Sequence, residues 1–182
     1  MRKLDLAESF ARDKHSKLLS LDGKPYFTHL ENVVNRLKNL GITNEELLCS
    51  AWLHDLIEEN LASFDDIFER FGRTTAIYVS SLSKNHNQSK KDRELQFVRQ
   101  LQDAPYEVKL IKFCDISANL RELDMSSISK TAKLKQLKQR RHYLSVIKNG
   151  LLENESNRIG IQKILDGMNQ VFTKYHLKPV FL

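Results

Sequence analysis

The chain has 182 residues, 41% of them hydrophobic and 29% charged, which is enough for one well-buried domain and calls for no second one. Three prolines, six glycines and no strand-length run of β-branched residues alternating with polar ones favour a helical bundle over a sheet, and no stretch nears the eighteen apolar residues of a membrane span. The net charge of +6 suits an anionic partner, be it a phosphorylated metabolite, a nucleic acid or a membrane surface, and does not choose among them.

The expected architecture is therefore all-α, a single-domain helical bundle over residues 1–182. Acids at Asp5 and Glu8 precede any apolar run, so no signal peptide is expected and the cytoplasm is the expected location. A first helix is predicted over 4–20, ending before the turn Asp22-Gly23-Lys24-Pro25. The second runs from Tyr26 through His29, Val33, Val34 and Leu37 to a stop at Gly41. Thr43 or Asn44 can cap a third, about four turns long, that carries Trp52 to Glu59 and sets His54 and Glu58 on one face. Ser63 can cap a short fourth helix ending at Phe71-Gly72; a fifth passes through Ala76, Val79 and Leu82 into a polar loop over 83–88. Helices follow over 93–102 and from Pro105 to Leu120, then over about 129–149 and 156–175. Cys49 and Cys114 are isolated and read as buried free thiols. Lys130 to Lys148 is basic without an acid; the bland reading is a solvated helix face. It lacks interleaved aromatics, so nucleic-acid binding is not expected.

Three separated pieces carry chemistry: His29 opening the second helix, the pair His54-Asp55, and Asp115 after Ile111, Phe113 and Cys114. A lone histidine on an amphipathic helix is ordinarily a hydrogen-bonded core residue. Asp115 weighs against that reading, because an aspartate among apolar neighbours is expensive to bury without a cation or several donors. Two imidazoles and two carboxylates form a mixed N/O set suited to Mn²⁺, Fe²⁺ or Zn²⁺.

The order His, His-Asp, distant Asp resembles the HD-domain metal-dependent phosphohydrolases. Over residues 10–125 it is most similar to the RelA/SpoT-type hydrolase domain and the small alarmone hydrolases. The matching stretches are Asp22-Gly23-Lys24-Pro25-Tyr26 with His29, Trp52 to Glu59, Phe71-Gly72, Leu82-Ser83-Lys84 and Ile111 to Leu120. The resemblance implies one divalent ion, Mn²⁺ first, held by His29, His54, Asp55 and Asp115, with the C-terminal helices completing the bundle. It implies metal-dependent hydrolysis of a phosphoester or pyrophosphate bond in a nucleotide, with an alarmone 3′-pyrophosphate as first-choice substrate. Glu58 and Glu59 match its acidic pair that activates water or protonates the leaving group; otherwise they read as solvent-facing charges. Lys84, Asn119 and Tyr143 match positions that face ligand, against the plainer readings of a loop lysine for Lys84 and a core aromatic for Tyr143. In one place the sequence departs from the pattern: Ser20 and Leu21 stand where alarmone hydrolases usually carry an Arg-Lys pair. Lys17 or Lys24 could compensate, or the substrate is a different nucleotide. The alternatives are thus a nucleotidase or nucleoside-triphosphate hydrolase of other base preference, and a catalytically idle binding module.

Overall fold

The computed structural model describes residues 2–182, and among them the regular structure is helical, with one isolated β-bridge between Leu19 and Pro25. The elements are α1 (Lys3–Lys14), α2 (Phe27–Asn39), α3 (Glu45–Leu53), α4 (Phe64–Leu82), α5 (Lys90–Asp103), α6 (Tyr106–Met125), α7 (Lys130–Ile147) and α8 (Arg158–Lys174). Short 3-10 stretches at Lys148–Leu152 and Glu155–Asn157 join the last two. No helix among the described residues is long and apolar enough to cross a membrane.

The bundle is built around α6. Val108, Ile111, Cys114 and Ala118 are buried, and so are Leu110, Phe113, Ile116 and Leu120, so apolar residues point to every side of this helix. A helix apolar all round must be covered all round, and α2, α3, α4, α7 and α8 pack against it. Each fully buried Leu, Ile or Phe contributes about 1.5–3 kcal/mol. The helix therefore has little freedom to move away from its neighbours.

The first three helices place the chemistry. α1 stops at Lys14, earlier than the sequence suggests, because the chain turns there to form the bridge. Ser20 N–H donates to the Lys24 carbonyl at 2.8 Å and Tyr26 N–H to the Leu18 carbonyl at 2.9 Å. Gly23 takes a φ of +82° in the intervening turn, a conformation open to glycine. The turn delivers Tyr26 to the start of α2, whose Leu30, Val33, Val34 and Leu37 are buried at helical spacing. Asn44 caps α3 by accepting from the Leu47 N–H at 2.8 Å, with Glu45 and Glu46 in the favourable first turn.

The expected four-turn third helix is corrected. α3 ends at Leu53, and His54 to Asn60 form a chain of turns instead. Leu56 N–H donates to the Leu53 carbonyl, Glu59 N–H to Asp55 and Leu61 N–H to Leu56, while Asn60 adopts a φ of +55°. Helical spacing therefore does not relate His54 to Glu58. The expected break at Phe71-Gly72 is present, but as a kink within α4: Gly72 has φ +80° and ψ 172°, and the chain resumes as helix on both sides. Ser63 and Asp66 form the capping box that starts it.

Candidate metal centre and active site

His29 lies in the first turn of α2 and His54 immediately after the last residue of α3, at its C-cap, and both rings are buried. His54 Nδ1 lies 2.8 Å from the Ala51 carbonyl, which can only accept, so that nitrogen carries a proton. His29 Nδ1 lies 2.8 Å from Glu122 Oε1 on α6, a carboxylate that orients the ring in the same manner. Both Nε2 atoms are left pointing inward, buried and without a hydrogen-bond partner.

Two aspartates face them. Asp55 Oδ2 is 3.0 Å from His54 Nε2 and 3.9 Å from His29 Nε2; Asp115 Oδ1 is 3.3 Å from His29 Nε2 and 3.7 Å from His54 Nε2. Donor atoms of His29, His54 and Asp55 all lie within 4.8 Å of one another. Burial opposes charge on either ring, but Asp115 and Glu122 hold His29 up at about 9, and Asp55 and Asp115 hold His54 up at about 10. Burial likewise opposes ionisation of Asp115, yet Lys112 and the two histidines keep it well below the carboxylate range. The cluster demands positive charge at its centre. Ring protons meet that demand in the metal-free protein, and a divalent cation meets it with better use of the orphaned nitrogens.

An outer layer fixes these groups. Tyr26 O–H donates to Asp55 Oδ2 at 2.6 Å, Lys112 Nζ to Asp115 Oδ2 at 2.8 Å, and Asn119 Nδ2 to Asp115 Oδ1 at 2.5 Å. Arg140 Nη2 in turn donates to Asn119 Oδ1 at 3.1 Å. His15 is buried and stacks on Tyr26 with ring centres 5.2 Å apart.

A cavity of about 160 Å³ opens onto this cluster. Asp55, Asp115, Glu58, Glu59, Lys84, Asn119 and Tyr143 all line it, so the residues singled out from sequence come together around it, with His29 and His54 just behind. Burial, with Asp55 and Glu58 nearby, raises the Glu59 carboxyl above its usual range. Lys84 and Tyr143 do not project freely, since both are hydrogen-bonded to Glu94 on α5.

Sequence reasoning missed Tyr26, Lys112, Glu122 and Gln139 as participants, and Glu94 behind them, while Arg140 was marked only as one of a basic run that could draw in a polyanion. Lys112 and Glu122 carried a signal: they stand three residues before and seven after Asp115, on its face of the helix. Lys17 and Lys24 do not line the cavity, and Lys24 is paired with Asp22 at 2.9 Å. Ser20 also turns to Asp22, at 2.6 Å.

An all-helical bundle with two inward imidazole nitrogens and two aspartates beside a polar cavity defines a protein built to hold a divalent cation. The chain belongs to the HD domain family, whose profile matches residues 7–143. It is 33% identical over 119 residues to the guanosine-3′,5′-bis(diphosphate) 3′-pyrophosphohydrolase MESH1 of Danio rerio, across 64% of this chain and 66% of that protein. It is 32% identical over 124 residues to the guanosine-3′,5′-bis(diphosphate) 3′-pyrophosphohydrolase of Aquifex aeolicus, across 66% of this chain and 18% of that one. The alignments thus span about two thirds of the first relative and under a fifth of the second. The fold is similar to the solved structure described as "A metazoan ortholog of SpoT hydrolyzes ppGpp and plays a role in starvation responses". The TM-score is 0.76 at 24% identity, over 91% of this chain and 95% of that one.

Proposed function

We propose that this protein is a metal-dependent phosphohydrolase that cleaves a phosphoester or pyrophosphate bond in a nucleotide, with the 3′-pyrophosphate of guanosine-3′,5′-bis(diphosphate) as its first substrate. The observation that carries the reading is the pair of buried, unpartnered Nε2 atoms facing Asp55 and Asp115 at the end of a cavity. The activity for which the relatives are named supports the choice of substrate. His29, His54, Asp55 and Asp115 would hold one divalent ion, Mn²⁺ by preference, with Fe²⁺ or Zn²⁺ also matching the donor set. Such an ion supplies Lewis acidity toward a phosphoryl oxygen and lowers the pKa of water.

The remaining work falls to the chain. Glu58 and Glu59 sit at the cavity wall beside Asp55 and exchange the proton between attacking water and leaving group. Tyr26 and Lys112 lock the two aspartates in place. Arg140 draws in phosphoryl oxygens, and Lys84, Asn119 and Tyr143 form the rest of the ligand-facing wall. Burial and the Glu94 carboxylate raise the Tyr143 hydroxyl above the usual phenol range, so it brings no charge to the wall, and its one O–H is turned to Glu94.

A second reading keeps the chemistry and changes the nucleotide. It is favoured by Ser20 and Lys24 turning to Asp22, which leaves no cation from that turn at the cavity. Metal analysis and incubation with Mn²⁺ against alarmones and nucleoside mono- and triphosphates separate the two. Pyrophosphate released from the alarmone selects the first, and release of phosphate only from other nucleotides selects the second. Asp55→Ala should lose metal and activity together, whereas Glu58→Gln should keep the metal and lose turnover. Full turnover by both variants in metal-free buffer would refute both readings.

A further inference from the structure

Glu94, in the first turns of α5, is the meeting point of one wall of the cavity without lining the cavity itself. Its Oε1 accepts from Lys84 Nζ at 3.1 Å and from Gln139 Nε2 at 2.7 Å, and its Oε2 accepts from the Tyr143 hydroxyl. All three donors are cavity-lining side chains, drawn from two separate parts of the chain. Lys84 Nζ also lies 5.1 Å from the ring centres of both Phe97 and Tyr143, so its charge is held in a half-buried aromatic setting and turned to Glu94.

The charge balance of the cavity makes this arrangement consequential. Four carboxylates line it, from Asp55, Glu58, Glu59 and Asp115, against three cations, from Lys84, Lys112 and Arg140. Lys112 is paired with Asp115 and Lys84 with Glu94, so Arg140 is the one lining cation with no carboxylate within ion-pair distance among the described residues. Phosphate therefore has Arg140 and the metal cluster to go to, at one end. At the Lys84–Gln139–Tyr143 end the positive charge is already cancelled and the donors already engaged.

Resting on the hydrolase reading, we propose that Glu94 is a specificity-determining residue that sets the charge selectivity of the site. It is a counter-anion built into the wall, which repels phosphate there and leaves that end for the uncharged base or sugar of a nucleotide whose phosphoryl group lies at the metal cluster. If Glu94 served only to hold Lys84 and Tyr143 in position, removing its charge would weaken anion binding. Under the present assignment it strengthens it, so the sign of the effect decides.

The test is calorimetric binding of guanosine mono- and triphosphate to the purified protein, with Mn²⁺ in excess over nucleotide. Glu94→Gln should raise the preference for triphosphate over monophosphate by roughly tenfold, the size of one like-charge repulsion in a half-buried wall. The gain should shrink as salt is added. Glu94→Ala should behave alike and Glu94→Asp, which keeps the charge, should not. An unchanged or reduced preference in both charge-removing variants, with their thermal melts intact, overturns the assignment. Binding is read apart from turnover of the alarmone, so a protein that hydrolyses the alarmone yet shows no gain refutes Glu94's role alone. A gain in a protein that hydrolyses nothing refutes the hydrolase reading alone.

Discussion

The two histidines of the cluster show how a proton on one ring nitrogen decides the use of the other. Because Nδ1 of His29 faces Glu122 and Nδ1 of His54 faces the Ala51 carbonyl, each Nε2 keeps a lone pair for the centre once a cation displaces its proton. The two supports differ in strength. The Ala51 carbonyl belongs to the last full turn of α3 and cannot be removed by mutation, whereas Glu122 can. Glu122→Gln should leave the bundle folded and weaken divalent-metal affinity by about tenfold or more, as loss of such an orienting carboxylate does elsewhere. Equilibrium dialysis against Mn²⁺ measures it, and unaltered affinity would mean that Glu122 only fills space. At this scale much was legible: Asp115 could be singled out because Ile111, Phe113 and Cys114 make its burial costly, and the helical register put Glu122 on its face. Arg140 and Glu94 were not legible. Their roles arise only when α5 and α7 dock beside the cluster, which no local pattern encodes.

Among the elements, the informative difference is α3. Leu53, Leu56, Ile57, Glu58 and Glu59 favour helix locally, yet the chain leaves the helix after Leu53. The competing demand is tertiary: Leu56 must be fully buried while Asp55 reaches Tyr26 and His54 reaches the aspartates, and turns at 53–61 satisfy all three. The presence of the helices was readable from apolar spacing, and their ends were readable only where a cap or a glycine marked them. Gly72 is such a mark. Its φ of +80° is one that a side chain rarely adopts, while a Cβ there would meet nothing nearer than Lys3 Nζ at 3.9 Å. The cost of Gly72→Ala is therefore one of backbone, not of crowding, and should amount to about 1 kcal/mol or more. Urea unfolding reads that loss, with metal stoichiometry expected to stay the same.

For the molecule as a whole, the cluster joins residues that are far apart in sequence: His29, His54 and Asp55 on one side, Asp115 in the central helix on the other. A cation bound there is bound by the folded state only, and stabilises it by about 2.7 kcal/mol at a hundred times its dissociation constant. For a chain of this size that corresponds to roughly 5–10 °C in the unfolding midpoint. Thermal melts before and after chelation, and again after Mn²⁺ is restored, should show the fall and its recovery. Coincident melts would mean that no ion is held across the two sides. The positive charge that the composition reports is also partly spent inside the molecule. Arg140 serves the cavity, Lys133 donates to the Asp124 carbonyl, and Arg141 and Lys148 hold main-chain oxygens of the C-terminal segment.

That segment reaches back toward the cavity. Residues 177–182 lie back along α7 and α8, with Asn169 gripping both the N–H and the carbonyl of Val180, while Arg141 and Lys148 fasten the carbonyls of Lys178 and Phe181. Arg141 is the immediate neighbour of Arg140, so anything that loosened residues 177–182 from α7 would be felt one residue away, at the cavity wall.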